Sequence, residues 1–466
     1  MGELPCGTRW RPRRPIRVRH TRRGFDVPSG LRGGTRVAEA LRRRVFVKRT
    51  ARAIRRTPLL AGLPKEVAVL TAIAFCVALG FGILAPSLPI FARTFDVSAL
   101  QVSAVISVFA LMRFVSAPGA GALTDRFGER VIMSSGLAIV GLSSLAAGFS
   151  QSLLQLILLR GVGGIGSSMF TVSAMALLLR VVDTEQRGRA AAAFQGGFLF
   201  GGVAGPAVGG ILVAWSIRAP FFVYAGALLI ATLVAVVYLS SAHLREREHE
   251  VAHGNENRLS ELREALRNRA YQAALGSNLT TGFVTFGLRS SVVPLFVVEG
   301  LARGASLSGF GFLAAAALQA VMLLPAGRMA DIQGRRKALL IGSVATLISM
   351  ILLTASDYAA NTLGAAGMVG VLLFLASMAV QGYGAAFLGS APSAVVGDIM
   401  GGRKGGIVVA TYQMMSDLGA VVGPLIAGLL VDAFDFDWAF AAGVVLTILP
   451  IILVLRMPET LRRSAA

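Results

Sequence analysis

The chain has 466 residues, of which 55% are hydrophobic and only 15% charged, yet its formal net charge is +21. Soluble domains carry about a quarter charged residues, and a soluble chain of this length would divide into two or three of them; this chain gathers its apolar residues into long blocks instead. Its two cysteines, Cys6 and Cys76, give no disulfide framework and no metal spacing, and its four histidines, His20, His243, His249 and His253, all lie in hydrophilic stretches, so no imidazole is available inside an apolar block.

The N-terminal stretch, residues 1–64, is basic: its first 58 residues hold 18 Arg and Lys against three acids, with RWRPRRPIRVRHTRR at its heart. It has no apolar core of the kind a secretory signal needs. A nucleic-acid arm has such a composition, and so does a cytoplasmic tail resting on anionic lipid; the apolar blocks that follow favour the lipid. Val37, Leu41, Val45 and Ile54 mark a basic amphipathic helix over 36–56. Twelve apolar blocks then follow, at about 67–91, 100–121, 131–149, 152–179, 190–214, 219–240, 270–297, 305–326, 337–355, 363–395, 405–430 and 437–456. Each approaches the roughly 20 residues that a helix needs to cross a hydrocarbon core. In lipid every backbone amide must be paired within its own segment, which predicts helices. The alternating ten-residue segments of a β-barrel are absent.

Arg and Lys choose the side. One set of loops holds Arg126, Arg130, Arg180, Arg187, Arg189, Arg328, Arg335, Arg336, Lys337, Arg403 and Lys404, and the Arg-rich stretch 241–269 belongs with it. The opposite loops hold little beyond Arg93, Arg218 and Arg303, and the last is acidic, with Asp432, Asp435 and Asp437. An even number of spans then places both termini in the cytoplasm of a cell (plasma or inner) membrane.

The chain also repeats itself. GALTDRFGER (Gly121 to Arg130) and AGRMADIQGRRK (Ala326 to Lys337) share a skeleton, with Gly121, Asp125 and Gly128 answered by Gly327, Asp331 and Gly334, a shift of 331 − 125 = 206. FGILAPSLPIF (Phe81 to Phe91) answers FGLRSSVVPLF (Phe286 to Phe296) at a shift of 205, and GPAVGG at Gly205 answers GPLIAG at Gly423 at 218. Such self-similarity marks structural repeats. The expected fold is an all-α membrane protein of twelve transmembrane helices in two pseudo-symmetric six-helix halves: a basic tail 1–64, an N-terminal half 65–240, a cytoplasmic linker 241–269, a C-terminal half 270–457 and a short tail 458–466.

On these residues the chain resembles the major facilitator superfamily over about 65–457, and within it the twelve-span drug:proton antiporter branch. Gly121-x-Leu123-x-Asp125-Arg126-x-Gly128-x-Arg130 matches the superfamily's signature between the second and third spans; Glu129 departs from it, since the family usually has a base there. GGVAGPAVGG (Gly201 to Gly210) matches the antiporter signature of the fifth span in full. Arg160 resembles the fourth-span signature, although Gly163 stands where Gln is common, and Pro86 and Pro89 match the first-span proline pair. The resemblance implies a latch (Gly121, Asp125, Arg126, Gly128, Arg130, Asp331 and Arg335) in which Asp125 meets the N-terminus of a helix from the opposite half and holds the outward-facing state. Gly201, Gly205 and Gly209 share one helix face. With Pro206, which bends the helix, and the echo Gly423-Pro424, they form a surface for close packing.

Charge at membrane depth is costly, at least about 2.5 kcal/mol at the bilayer centre. Arg113, Arg160 and Arg289 lie inside blocks, and Asp417 is the one carboxylate well inside a block; with Asn278, Gln319 and Gln413 the three arginines are the candidate cavity residues. By elimination Asp417 is the proton-responsive group, linked to at least one of these arginines. The first block has no acid after Glu66, where exporters of cationic drugs in the family usually carry one, leaving neutral, zwitterionic, anionic or lipid-like substrates. No phosphate loop, metal cluster or nucleophile motif points to an enzyme, and no G-x-x-x-x-G-K-[ST] points to ATP. The reading is a monomeric secondary transporter without cofactor or nucleic-acid partner that binds a small molecule, protons and lipid, exporting amphipathic compounds. A facilitator or importer of an anionic or lipid-like metabolite is the alternative, and a non-transporting membrane sensor a third reading.

Overall fold

A computed structural model describes residues 63–182, 186–239, 258–363, 367–400 and 406–461. The basic stretch and its expected amphipathic helix lie outside them, as does the linker up to residue 257. The helices are α1 (Lys65–Leu84), α2 (Leu88–Arg93), α3 (Ala99–Phe127), α4 (Glu129–Ala147), α5 (Leu153–Val181), α6 (Arg187–Trp215), α7 (Ala219–Tyr238), α8 (Arg258–Arg267), α9 (Arg269–Gly300), α10 (Ser306–Gln333), α11 (Arg335–Leu363), α12 (Met368–Met400), α13 (Gly406–Ala433) and α14 (Phe436–Arg456). Among the described residues, all but α2 and α8 are long and apolar enough to cross a membrane, twelve in number.

Local chemistry sets the ends. Ser98 opens α3 with a capping box, its hydroxyl accepting from Gln101 N while the Gln101 side chain accepts from Ser98 N, so two orphan amides are satisfied at once. Ser152 and Asn268 cap α5 and α9 in the simpler way. The first apolar block breaks after Leu84, where Pro86 and Pro89 interrupt the amide ladder and α2 restarts the chain. α9 is a continuous span, but it passes through π-helical turns at Gly282–Leu288 and Phe296–Gly300 around Pro294.

The repeat seen in the sequence is present in the packing. In the first half α1 lies on α6: a Cβ on Gly82 would stand 2.8 Å from Pro206 Cδ and 3.0 Å from Gly205 Cα. In the second half α9 lies on α13 in the same register, with Gly287 facing Pro424 Cδ at 3.0 Å and Gly423 Cα at 3.2 Å. Aromatic locks repeat too: Phe91 meets Phe221 edge-on at 5.1 Å, and Phe296 meets Phe440 at 5.1 Å. Both pairs are buried, and each edge-to-face contact adds about 0.5–1.5 kcal/mol beyond burial.

The two charged repeats are tighter than loops. Gly128 alone joins α3 to α4, at φ 85°, and Gly334 alone joins α10 to α11, at φ 120°. Both have ψ 151°, a backbone region open essentially to glycine alone. Asp125 and Asp331 therefore ride on the last turns of helices, not in loops. The end of the bundle that carries these glycines is called the hinge end below, and the opposite one the far end.

Candidate functional site

α3 of the first half and α13 of the second cross the bundle side by side. Midway along them the Arg113 guanidinium (Nη2) forms an ion pair with Asp417 Oδ1, joining the halves. Both side chains are partly exposed, at 38% and 24%, so neither is sealed from a change of partner. From there to the far end the halves stay in contact. Ser107 Oγ donates to the Val421 carbonyl at 2.8 Å. Asp432, at the end of α13, accepts from the backbone amides of Ala99 and Leu100 at 2.8 and 2.9 Å, placing an anion on the N-terminus of α3, where the helix dipole favours it. Arg93 donates to both oxygens of Glu299, at 2.8 and 3.1 Å. α6 and α10 touch through backbone, a Cβ on Gly309 standing 2.6 Å from Gly210 Cα.

Toward the hinge end three glycines of these helices face open space. Gly196 on α6 and Gly327 on α10 have nothing within 4 Å of where a Cβ would be, and neither has Gly121 on α3. The contacts between the halves described above run from mid-depth to the far end.

The two hinges differ. Asp125 is exposed and makes no ion pair among the described residues, and Arg126 lies over the Phe127 ring at 5.3 Å. Glu129, the departure from the signature, is paired with Arg180 of α5 by two bonds of 2.9 and 3.0 Å. In the second hinge the signs are exchanged: Arg335, the repeat partner of Glu129, pairs with Asp398 of α12 at 3.2 Å and also holds Asp331. Its helix begins Arg335-Arg336-Lys337, three cations on an N-terminus that disfavours them. Glu459 answers this by accepting from the amides of Arg335 and Arg336 at 2.8 and 3.1 Å, while Arg336 donates back to the last carbonyls of α14, Val454 and Leu455, at 3.2 and 2.7 Å.

The glycine motif is a backbone contact. Gly201, Gly205 and Gly209 face the α1 backbone at Leu79, Gly82 and Ile83, with Cβ-to-backbone distances of 2.7, 2.7 and 2.9 Å. Among the arginines, Arg160 is buried, with 4% exposure, its guanidinium 4.2 Å over the Phe109 ring. Arg289 is half-buried over Phe312 at 5.4 Å. Neither forms an ion pair among the described residues, and the Nε of each is closed from water without a hydrogen-bond partner. Asn278 is buried and donates to the Tyr412 carbonyl at 2.6 Å, tying α9 to α13. Gln319 is half-buried and Gln413 exposed.

A family model described as Major Facilitator Superfamily matches residues 70–318 and 278–465. The chain belongs to that superfamily. Multidrug resistance protein 2 of Bacillus subtilis (strain 168) is 23% identical over 385 residues, 80% of this chain and 90% of its own length. Quinolone resistance protein NorA of Staphylococcus aureus (strain MRSA252) is 28% identical over 180 residues, 38% of this chain and 45% of its own. In fold the chain is similar to the crystal structure of a bacterial homolog to the human lysosomal transporter Spinster, in an inward-facing and unoccupied conformation. The TM-score is 0.67 at 16% identity, over 86% of this chain and 98% of that one. As a Major Facilitator Superfamily member this is a multi-pass membrane transporter and not an enzyme.

Two groups of residues escaped sequence reasoning. The far-end partners Arg93, Glu299 and Asp432 lie at helix ends, where charge is ordinary, and only their pairing across the halves marks them. Asp357 of α11 lies just past the ninth apolar block, yet it is 1% exposed and held by Asn361 Nδ2 at 3.4 Å. It is a second carboxylate inside the protein that the elimination leading to Asp417 did not weigh.

Proposed function

We propose that the chain is a secondary transporter that exports amphipathic small molecules in exchange for protons. The observation that carries the reading is the Arg113–Asp417 pair, which joins the halves midway along α3 and α13. A carrier that rocks one half against the other must break and remake such a pair in each cycle. Motion that separates the two lets a proton bind, and motion that reunites them expels it. The full antiporter signature in α6 and the multidrug-resistance relatives favour export.

On this reading the hinge end is cytoplasmic, both termini lie on that side of the cell membrane, and the protein works as a monomer of two six-helix halves, 65–240 and 270–457. The far-end contacts between the halves suit an inward-open state. Asp125 is the latch that closes the hinge end in the outward-open state, with Gly121, Arg126, Gly128 and Arg130 around it. Arg113, Arg160, Arg289, Asn278, Gln319 and Gln413 serve the substrate cavity. The alternative, a facilitator or importer of an anionic or lipid-like metabolite, draws on Arg113, Arg160 and Arg289, of which the last two form no ion pair among the described residues. Transport in vesicles with an imposed pH gradient, over a chemically mixed set of compounds, separates the two. Export predicts accumulation that follows the proton gradient in the opposite direction. Accumulation with the gradient, or indifference to it, refutes exchange.

A further inference from the structure

We infer that Arg289 binds the anionic headgroup of the transported molecule, so that the substrates are amphipathic organic anions bearing a carboxylate, phosphate monoester or sulfonate. The inference rests on the transport reading above, though not on its direction.

The repeat supplies the argument. Register between α1–α2 and α9 is set by three points at one shift of 205: Phe81 with Phe286, Gly82 with Gly287, and Phe91 with Phe296. The packing repeats it, since Gly82 and Gly287 meet the same Gly-Pro step of α6 and α13. In that register the counterpart of Arg289 is Leu84, which is 2% exposed. The fold is therefore built at this turn with a buried leucine, and the arginine is not required for packing.

Nor does the protein neutralise it. Asp417 is engaged by Arg113. Among the described residues Arg289 has no ion pair, only the face of Phe312, and its Nε is enclosed without an acceptor. Arg160 is equally unpaired but is buried within the first half, whereas Arg289 keeps part of its surface. α9 packs against α12 and α14 in its first part and against α13 further along, while its segment Arg289–Leu295, which Arg289 opens, also packs against α2 and α3 of the first half, so Arg289 stands where the halves meet. A π-helical segment, Gly282–Leu288, ends immediately before Arg289, and such interruptions recur at functional sites. An ionisable side chain at this depth without an internal partner is a ligand site waiting for its counter-charge. Phe286, one turn away and 42% exposed, offers an apolar surface to the body of the same molecule. A cationic drug would meet like charge here.

The test is binding to the full chain in lipid nanodiscs, with empty nanodiscs as the baseline. Three probes share one ring system: naphthalene-1-acetate, trimethyl(1-naphthylmethyl)ammonium and the neutral naphthalene-1-ethanol. The expected result is saturable binding of the acetate at least about tenfold tighter than the ammonium. Arg289→Gln removes that preference and Arg289→Lys keeps most of it. Equal binding of the two ions, a preference for the cation, no saturable binding of the acetate, or an anion preference that survives in Arg289→Gln overturns the proposal. Where the Gln variant does not fold, the wild-type preference and the Lys variant decide. Failure of pH-gradient exchange with the anion preference intact removes the export reading and leaves this one standing.

Discussion

The two hinges are one motif written twice, and their charges are paired differently. Each turns on a single glycine at positive φ, and each has an ion pair from the helix that follows it to the next helix of its own half. The sign of that pair decides the rest. In the second hinge Arg335 stands four residues after Asp331 and holds it. In the first, Glu129 stands four residues after Asp125, and two carboxylates at that spacing repel. Arg180 draws Glu129 away into α5, and Asp125 is left in solvent. The second hinge is tied further by Glu459. With the same skeleton, Asp331 is held by an ion pair and Asp125 forms none among the described residues, and the residue four positions further on carries opposite charge in the two hinges.

That comparison can be broken. The largest expected effect is on Asp125: Asp125→Asn should reduce transport about tenfold or more, in line with a lost charge-assisted contact in the closed state, while Asp331→Asn changes it less than about threefold. Rates measured in vesicles at matched insertion check this, and equal losses would mean that the hinges are equivalent. Next comes Glu129→Arg, which places a base four residues after Asp125 and abandons Arg180. Transport should fall several-fold. In Glu129→Arg with Arg180→Glu the ion pair is rebuilt with the polarity of the second hinge, so thermal stability should recover while transport stays low. Recovery of both would show that Glu129 serves stability alone. The smallest effect is expected for Glu459→Ala. Removing a carboxylate from a helix N-terminus costs about 1 kcal/mol, so the melting midpoint should fall slightly with transport nearly unchanged; a collapse of transport would make the second hinge a moving part too.

The spans, the two halves and the hinge repeat were legible in the sequence because each rests on a local pattern: apolar length, glycine spacing, and charge excluded from lipid. The Gly201-Gly205-Gly209 face was legible for the same reason, since three glycines four apart admit a backbone and little else. What the sequence hid are choices of partner. Glu129 reads as a flaw in a signature until Arg180, 51 residues on, is seen against it. Asp432 reads as one acid in an acidic loop, although its carboxylate caps a helix of the other half 333 positions away. The apolar blocks also stopped short of the helices. α3 and α10 run several residues past the blocks at 100–121 and 305–326, because polar residues continue a helix once it leaves hydrocarbon, and this moved Asp125 and Asp331 from loops onto helices.

The central claim is that a proton moves on and off Asp417 as the halves rock, and Asp417→Asn tests it most directly. In proteoliposomes the variant keeps the shape and hydrogen-bonding reach of the side chain but cannot titrate. The account predicts that accumulation driven by an imposed pH gradient disappears, while substrate binding and downhill exchange persist. Gradient-driven accumulation that survives in the Asn variant would contradict it, and would turn attention to the buried carboxyl of Asp357.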